Sequence, residues 1–238
     1  MQKITLVYPY FDNAEMLKKH LATWCNYQDK DFFEVIIVDD CSPNKPAKDY
    51  LYDVGFPIRL FRITTQIPWN QHGAKNLAMK HASGWCLLAD MDLLLTAEEA
   101  KVLIHANLDD TCYYRSLRRY NNHSSIDYHA NSFVITTTMY WAIGGYDEAY
   151  AGYYGTDRAF KRRLKKFFPN EKPSPMLLTP YNHIIEDART QAFGRENSPY
   201  HLSRNLRLRL RMRIGPKPIK PLNFDWEMIS IAKQHHIK

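Results

Sequence analysis

The chain has 238 residues, of which 45% are hydrophobic and 24% charged, and its formal net charge is +7. These values exclude an intrinsically disordered chain and are typical of a globular protein. No apolar run approaches the roughly 20 residues that span a bilayer, and the N-terminus enters a strand-like segment without a secretion signal. We therefore expect a cytoplasmic enzyme, and the positive charge favours polyanionic partners.

The four cysteines are widely separated in the sequence. Cys25, Cys41, Cys86 and Cys112 form no C-x-x-C pair, which argues against a zinc knuckle. We predict that they form no disulfide and act as small buried hydrophobic residues, as expected in a reducing compartment.

The first half of the chain alternates predicted strands with predicted helices. Apolar segments rich in β-formers predict strands at residues 4–8, 32–38, 58–63 and 85–89. Asp12 or Asn13 can cap a helix that follows the first strand and whose apolar positions continue to Trp24. A second helix is predicted from Lys75 to His81. This alternation predicts an α/β fold with a mostly parallel sheet flanked by helices.

Four acidic residues follow predicted strands directly. They are Asp39, Asp40, Asp90 and Asp92. Because open sheets of this kind bind ligands beyond the carboxyl ends of their strands, we expect these side chains to cluster on one rim.

The pattern is looser after about residue 110. Strands are predicted at Tyr113–Leu117 and Ser132–Thr136, and a helix at Asp157–Phe167. From Pro169 onward prolines are frequent and long periodic segments are few. One domain with an irregular C-terminal part is the simplest interpretation.

Asp90 and Asp92 are the candidate metal ligands. Side chains two residues apart in an extended chain point to the same face, so the two carboxylates can aim at one point. Two adjacent negative charges repel, and hard oxygen ligands suit Mg²⁺ or Mn²⁺. The alternative is a solvated strand end, where aspartate is common. The apolar residues on both sides favour the metal site, because burying a charged pair without a use is costly.

Four segments together resemble the family 2 glycosyltransferases of the GT-A fold. These segments are Val38–Ser42, Gly73–Ala78, Asp90–Asp92, and Gly144–Glu148 leading to Gly155–Asp157. The resemblance implies a GT-A domain over residues 1–200, with a donor half at about 1–110 and an acceptor half at about 111–200. Residues 201–238 would form a basic extension packed on the same domain. It also implies transfer of a sugar from a nucleotide-diphosphate sugar, with a UDP-sugar favoured, to an acceptor hydroxyl with inversion.

The resemblance also assigns the donor site. Pro9 and either Asp39 or Asp40 would hold the base and ribose, since carboxylates accept from an imide N–H or from hydroxyls. Lys75, Asn76 and Asp90 would lie near the diphosphate. The alternatives are an Asx turn at the end of the second strand and an exposed helix lysine.

Asp157 is the candidate general base. The family commonly has an acidic residue at the position of Thr156, so Asp157 is the carboxylate that remains there. It would take the proton of the acceptor hydroxyl. The alternative is an N-cap for the predicted helix.

The resemblance further implies a third metal ligand, His183, with Glu186 and Asp187 as nearby alternatives. The expected ion is Mn²⁺ or Mg²⁺.

The stretch from Arg207 to Arg213 alternates arginine with apolar residues. We predict an extended arm or strand with four arginines on one face. Such an arm could bind phosphates, form a charged sheet edge, or dock on anionic lipid. The predicted acceptor-binding residues are Tyr153, Tyr154, Arg207, Arg209 and Arg211.

Two acceptors are compatible with these features: a glycan or lipid-linked sugar, and DNA with a hydroxymethylated base. A retaining enzyme, a sugar-phosphate nucleotidyltransferase and a catalytically inactive binding module are the alternative functions. A nucleotidyltransferase would have a Gly-rich, Arg-containing N-terminal loop, which residues 8–11 lack.

Overall fold

A computed structural model of the protein describes residues 1–119, 125–153, 156–180, 205–214 and 222–230. The strands are β1 Ile4–Tyr10, β2 Phe33–Asp40, β3 Ile58–Ile63, β4 Trp85–Leu88, β5 Leu93–Leu94, β6 Tyr113–Arg119, β7 Ile126–Thr136, β8 Glu171–Pro180 and β9 Trp226–Ile229. The helices are α1 Ala14–Cys25, α2 Gln71–His81, α3 Ala97–His105, α4 Thr137–Ala142, α5 Asp157–Phe167 and α6 Leu206–Ile214.

The strands form a sheet in the order β5-β8-β6-β7-β4-β1-β2-β3-β9. Strands β4, β1, β2 and β3 are parallel neighbours, as the alternating sequence predicted. β7 runs antiparallel to both β4 and β6, and β9 runs antiparallel to β3. The sheet is therefore a mixed sheet built on a parallel core.

The core lies on both faces of the sheet. Ile4, Leu6 and Tyr8 of β1 are fully buried on the face covered by α1. Val7 points to the opposite face and is buried with Leu77 of α2. Because successive side chains of a strand alternate between faces, a strand buried on both faces is apolar throughout, which explains why β1 and β2 were readable in the sequence.

Strand β8 was missed because it contains three prolines, at positions 173, 175 and 180. The register between β6 and β8 shifts in this region: Arg115 pairs with Pro173, whereas Leu117 pairs with Leu177. Inside the shift, the Ser174 hydroxyl accepts a hydrogen bond from the Leu117 N–H at 3.0 Å. Pro175 lies inside this shift, outside the regular ladder, which is a position where a strand tolerates proline.

The prediction of an extended arginine arm was wrong, because residues 206–214 form helix α6. Leucine and arginine are both good helix formers, so strict alternation does not by itself specify a strand. The Asn205 side chain accepts from the Leu208 N–H at 3.0 Å and caps the first turn. Leu208 packs on Tyr150 and Ala159, and this tertiary contact favours the helix.

Two further expectations concern membranes and cysteines. None of the helices in the described part of the chain has the length and apolar character that a membrane crossing requires. All four cysteines lie in that part and are free thiols, as predicted. Cys86 and Cys112 are buried, and the other two are half-buried.

Candidate active site

The loops that leave β1, β2 and β3 lie along one rim of the sheet. Each contains a non-glycine residue with left-handed backbone: Asp12 at φ 46°, Cys41 at φ 57° and Trp69 at φ 44°. Asp12 links two of these loops, because its carboxylate accepts from the N–H groups of Asn44 and Lys45 at 3.1 and 2.8 Å. Left-handed backbone is costly for such residues and persists where the surroundings fix it, so these loops are held in defined positions.

Asp39 and Asp40 end β2, next to Pro9 and Tyr10 of β1. Asp39 is buried, and its two carboxylate oxygens accept from the N–H groups of Ser42 and Ala47, each at 2.8 Å. Burial raises the pKa of Asp39, and these hydrogen bonds oppose the rise. Asp39 therefore holds the loop that follows β2 through N–H groups three and eight residues further along the chain, rather than through the Asx turn considered from the sequence.

The neighbouring Asp40 carboxylate is also buried. It accepts from the backbone N–H of Asn70 at 3.0 Å. Asn70 is the N-cap of α2, so Asp40 ties the end of β2 to the start of that helix.

Asp90 follows β4 and lies at the centre of a polar network. Its Oδ1 accepts from Lys75 Nζ at 2.9 Å and from Gln71 Nε2 at 2.6 Å. Its Oδ2 accepts from Asn131 Nδ2 at 3.3 Å and lies 4.0 Å from His129 Nε2. The Asp90 side chain keeps 20% of its surface exposed. The carboxylate is thus held in place while remaining accessible.

Lys75 is fully buried, which excludes the exposed helix lysine considered from the sequence. Besides Asp90, its ammonium donates to the Asn131 carbonyl at 3.3 Å and lies 5.4 Å from the centre of the Tyr146 ring. A buried ammonium is stable only with such partners, and here it offsets the charge of Asp90.

The carboxylates of Asp90 and Asp92 fit a hard divalent cation. Asp92 is exposed in the turn that follows Asp90, so both side chains can be reached from solvent. Within the described ranges, no cluster of three or more His, Cys, Asp or Glu residues forms a metal site. His183, Glu186 and Asp187 lie outside these ranges. The carboxylates of Asp90 and Asp92 are therefore the candidate oxygen ligands within the described ranges.

Asn76 links α2 to the turn at Gly144–Glu148. Its Nδ2 donates to the Tyr146 carbonyl and to Glu148 at 2.9 and 2.7 Å. Its Oδ1 accepts from the Tyr140 hydroxyl and the Tyr146 N–H at 2.6 and 2.9 Å. Gly145 has φ +63°, and a Cβ there would lie 2.7 Å from Asn76 Oδ1. Asn76 is fully buried with all four hydrogen bonds made inside the protein, so the predicted direct donor contact does not fit this geometry.

Asp157 is the first residue of α5, and Thr156 is the N-cap, so the proposed N-cap role of Asp157 was wrong. Asp157 Oδ1 lies 4.0 Å from His72 Nε2. Burial alone would raise the pKa of Asp157, but the adjacent His72 and the charge of Lys75 outweigh it and hold that pKa below its usual value. The carboxyl group is therefore ionised at neutral pH.

A cleft of about 310 Å³ connects these groups. It is lined by Trp69, Gln71, His72, Asn131, Tyr150, Tyr153, Thr156 and Asp157. Gln71 and Asn131 are the residues that donate to Asp90. Asp157 thus lines this cleft, and so do two of the residues that donate hydrogen bonds to Asp90.

Helix α6 covers one side of this cleft. Arg211 forms a bidentate ion pair with Asp147, at 2.5 and 3.0 Å, and Asn205 donates to the Tyr153 hydroxyl at 3.0 Å. Arg207 and Arg209 are exposed. Tyr154 lies outside the described residues. Of the predicted acceptor residues, Tyr153 lines the cleft and Arg211 is engaged within the protein.

Several of these residues were not identified from the sequence. Gln71, His72, Asn131 and His129 carry no recognisable spacing, and the chain brings them together only in the folded state. The polar and aromatic character of the loop at residues 69–72 was the one available signal.

Comparison with known proteins identifies the family. The model of Glycosyl transferase family 2 matches residues 5–170, so the chain belongs to this family. This match also decides against the nucleotidyltransferase alternative. A search of curated protein sequences found no significant match.

Solved glycosyltransferases share the fold. The mannosyltransferase PcManGT from Pyrobaculum calidifontis, in complex with GDP-Man and Mn²⁺, has a TM-score of 0.62 at 13% identity, with 80% of this chain and 59% of that chain covered. S. aureus TarS 1–349 with UDP-GlcNAc has a TM-score of 0.58 at 15% identity, with 78% and 60% covered. The catalytic domain of Drosophila β1,4-galactosyltransferase 7 with xylobiose has a TM-score of 0.55 at 14% identity, with 90% and 80% covered. The chain thus spans about 60% of the length of the first two, and these identities show the GT-A fold alone.

Proposed function

We propose that the protein transfers a sugar from a nucleotide-diphosphate sugar to an acceptor hydroxyl, with inversion at the anomeric carbon. The observation that carries this proposal is the shared cleft: Asp157 lines it, together with the two residues that hold Asp90. A leaving diphosphate near Asp90 and an attacking hydroxyl near Asp157 can therefore be brought close together.

The donor's nucleotide would lie at the carboxyl ends of β1 and β2. Pro9 and Asp39 or Asp40 are at that position, and the carboxylates can accept from an imide N–H or from ribose hydroxyls. This chemistry fits UDP, because uracil carries such an N–H. GDP-Man and UDP-GlcNAc are the donors in two of the similar structures. Lys75 would offset phosphate charge with its buried ammonium.

Asp90 and Asp92 would hold Mn²⁺ or Mg²⁺, with His183 as a third protein ligand. When bound, the ion would act as a Lewis acid that stabilises the negative charge on the departing diphosphate. Lys75, Gln71 and Asn131 donate hydrogen bonds to the Asp90 carboxylate and keep it oriented. Metal ligands need such further hydrogen-bond partners to fix their orientation.

Asp157 would be the general base. Its carboxylate would accept the acceptor's hydroxyl proton while that oxygen bonds to the anomeric carbon and the bond to the diphosphate breaks. The lowered pKa of Asp157 keeps the carboxylate ionised, which a base requires. Attack by the acceptor itself, with no covalent sugar–enzyme intermediate, inverts the anomeric centre.

The acceptor we favour is a saccharide hydroxyl, free or lipid-linked. Trp69, Tyr150 and Tyr153 line the cleft, and aromatic rings offer flat apolar surfaces for sugar rings. Two observations weigh against hydroxymethylated DNA. The arginine run is a helix rather than a four-arginine strand face, and Arg211 is paired with Asp147.

Release of nucleoside diphosphate from a panel of donors tests the proposal. We expect release with Mn²⁺, loss of release with EDTA, and stimulation by saccharide acceptors but not by hydroxymethylated duplex DNA. Asp92→Asn should keep the fold and lower metal-dependent turnover by about 10²-fold or more, because it removes one of two carboxylate ligands. Wild-type turnover by that variant at matched Mn²⁺ would refute the metal role, and stimulation by DNA alone would reverse the choice of acceptor.

A further inference from the structure

His72 connects the candidate base to the rest of the site. It lies in the first turn of α2 and is only 4% exposed. Its Nδ1 lies 3.2 Å from the Asp147 carbonyl, and its ring stacks on Tyr146 with centroids 4.8 Å apart. Because a carbonyl oxygen can only accept, Nδ1 carries a proton in this arrangement. The opposite nitrogen, Nε2, therefore points in a fixed direction.

That direction is towards the start of α5. His72 Nε2 lies 3.2 Å from Thr156 Oγ1 and 4.0 Å from Asp157 Oδ1. The Thr156 hydroxyl can donate onward to the Tyr153 carbonyl at 3.4 Å. The imidazole, the Thr156 hydroxyl and the Asp157 carboxylate thus lie together at the start of α5.

We propose that His72 is a positioning residue for Asp157: its buried ring, held by Asp147 and Thr156, lies beside the carboxylate and restricts its orientation. This inference rests on the proposed function, in which Asp157 is the base. In the transfer step, the acceptor proton moves to Asp157, the acceptor oxygen bonds to the anomeric carbon, and the diphosphate leaves with the electron pair of the broken bond. His72 does not touch the reacting atoms and exchanges no proton in this step.

Other charged or titratable groups also act on Asp157. Lys75 lowers its proton affinity from the side of α2. Lys161 from α5, Tyr146 from the adjoining turn and His129 from β7 also interact electrostatically with it. None of these four forms a hydrogen bond with Asp157 in the described part of the chain, and His72 Nε2 lies 4.0 Å from its carboxylate.

The test compares His72→Asn with His72→Gln. Asparagine can replace the Nδ1–H donor to Asp147 but leaves nothing at the position of Nε2, whereas glutamine places an amide N–H near that position. Loss of the favourable neighbour raises the pKa of Asp157. A general base acts only in its deprotonated form, so activity falls as the pH drops below its pKa. Because the pKa of Asp157 is higher in the variant, this loss begins at a higher pH.

We therefore expect the acid limb of the kcat/KM profile to move to higher pH by about one unit in His72→Asn. At neutral pH, kcat should fall about tenfold while KM for the donor stays unchanged. His72→Gln should keep the wild-type acid limb. Thr156→Val, which removes only the hydroxyl that holds the imidazole, should give a smaller shift in the same direction and serves if His72→Asn does not fold.

The outcomes separate the two proposals. If Asp157→Asn transfers sugar at the wild-type rate, the base assignment fails and the role of His72 fails with it. If Asp157→Asn is slow but the profiles of His72→Asn and Thr156→Val coincide with that of the wild type, the inference about His72 alone is overturned. Equal losses of activity in the asparagine and glutamine variants with an unmoved acid limb would assign His72 a purely structural part and also overturn it.

Discussion

His20 lies beneath the candidate metal-binding turn. It is fully buried in α1, and its Nε2 donates to the Met91 carbonyl at 2.8 Å. Its ring contacts Tyr8 and Trp24, with centroids 4.4 and 5.3 Å apart. Burial lowers the pKa of His20 to about 4, against an unperturbed value of about 6.5. The neutral imidazole thus holds the backbone between Asp90 and Asp92 from below.

This burial predicts a specific loss of stability in acid. The unfolded chain takes up a proton on His20 as the pH falls through about 6.5, whereas the folded protein does so only near pH 4. Stability due to the neutral form is therefore complete above about pH 6.5 and is lost progressively down to about pH 4, by about 3 kcal/mol in all. The free energy of unfolding, measured with urea at several pH values in this range, should depend less steeply on pH in His20→Asn than in the wild type.

Substitution of an exposed histidine is the control. His105 is exposed in α3, so His105→Asn should leave the pH dependence of the free energy of unfolding unchanged. Equal slopes for the wild type and His20→Asn would contradict the account of His20.

Some of the residues in the candidate site were predictable from the sequence. Lys75 and Asp90 were selected, but their contact was not, because fifteen positions separate them along the chain and only the packing of α2 against the sheet joins them. His72 was passed over because a lone histidine has no spacing that distinguishes it. Such residues take their roles from neighbours that are distant in the sequence and meet only in the folded protein.

At the scale of elements, the apolar runs and the turn residues between them correctly predicted the parallel part of the sheet. The strand that was not predicted and the helix that was predicted as a strand are both stabilised by tertiary contacts. β8 needs a bulge to accommodate its prolines, and α6 needs Leu208 in contact with Tyr150. Neither contact is visible as a local pattern.

The ion pair between Arg211 and Asp147 is the strongest polar link between α6 and the cleft. Asp147 is buried at 8% side-chain exposure, whereas Arg211 is 36% exposed. Removing the arginine leaves a buried carboxylate without its bidentate partner. In a double-mutant cycle with Arg211→Met and Asp147→Asn, we expect a coupling of about 1–2 kcal/mol in the free energy of unfolding.

The same cycle on a solvent-exposed pair provides the comparison. Lys18 and Glu15 form an ion pair at 2.9 Å with side-chain exposures of 53% and 58%. Their coupling should be much smaller than that of Arg211 and Asp147, because solvent screens exposed pairs in helices. Additive effects at Arg211 and Asp147 would mean that α6 is not anchored by this pair.

At the scale of the whole molecule, the cleft is assembled from three distant parts of the chain. The start of α2, the middle of β7 and the start of α5 each supply lining residues. The packing of α2 against β1 and β2 sets the position of the start of α2. The pairing of β7 with β4 sets the position of β7. The family resemblance therefore gave the fold and the acidic residues, whereas the geometry of the cleft required the structure.

The central claim is that the carboxylate at the start of α5 removes the acceptor's proton. The most direct measurement is the turnover of Asp157→Asn together with its affinity for the donor in the presence of Mn²⁺. The account predicts donor affinity within about twofold of the wild type and a kcat lower by 10²-fold to 10⁴-fold, the range that general-base catalysis contributes. Unchanged kcat at saturating donor and acceptor would contradict it.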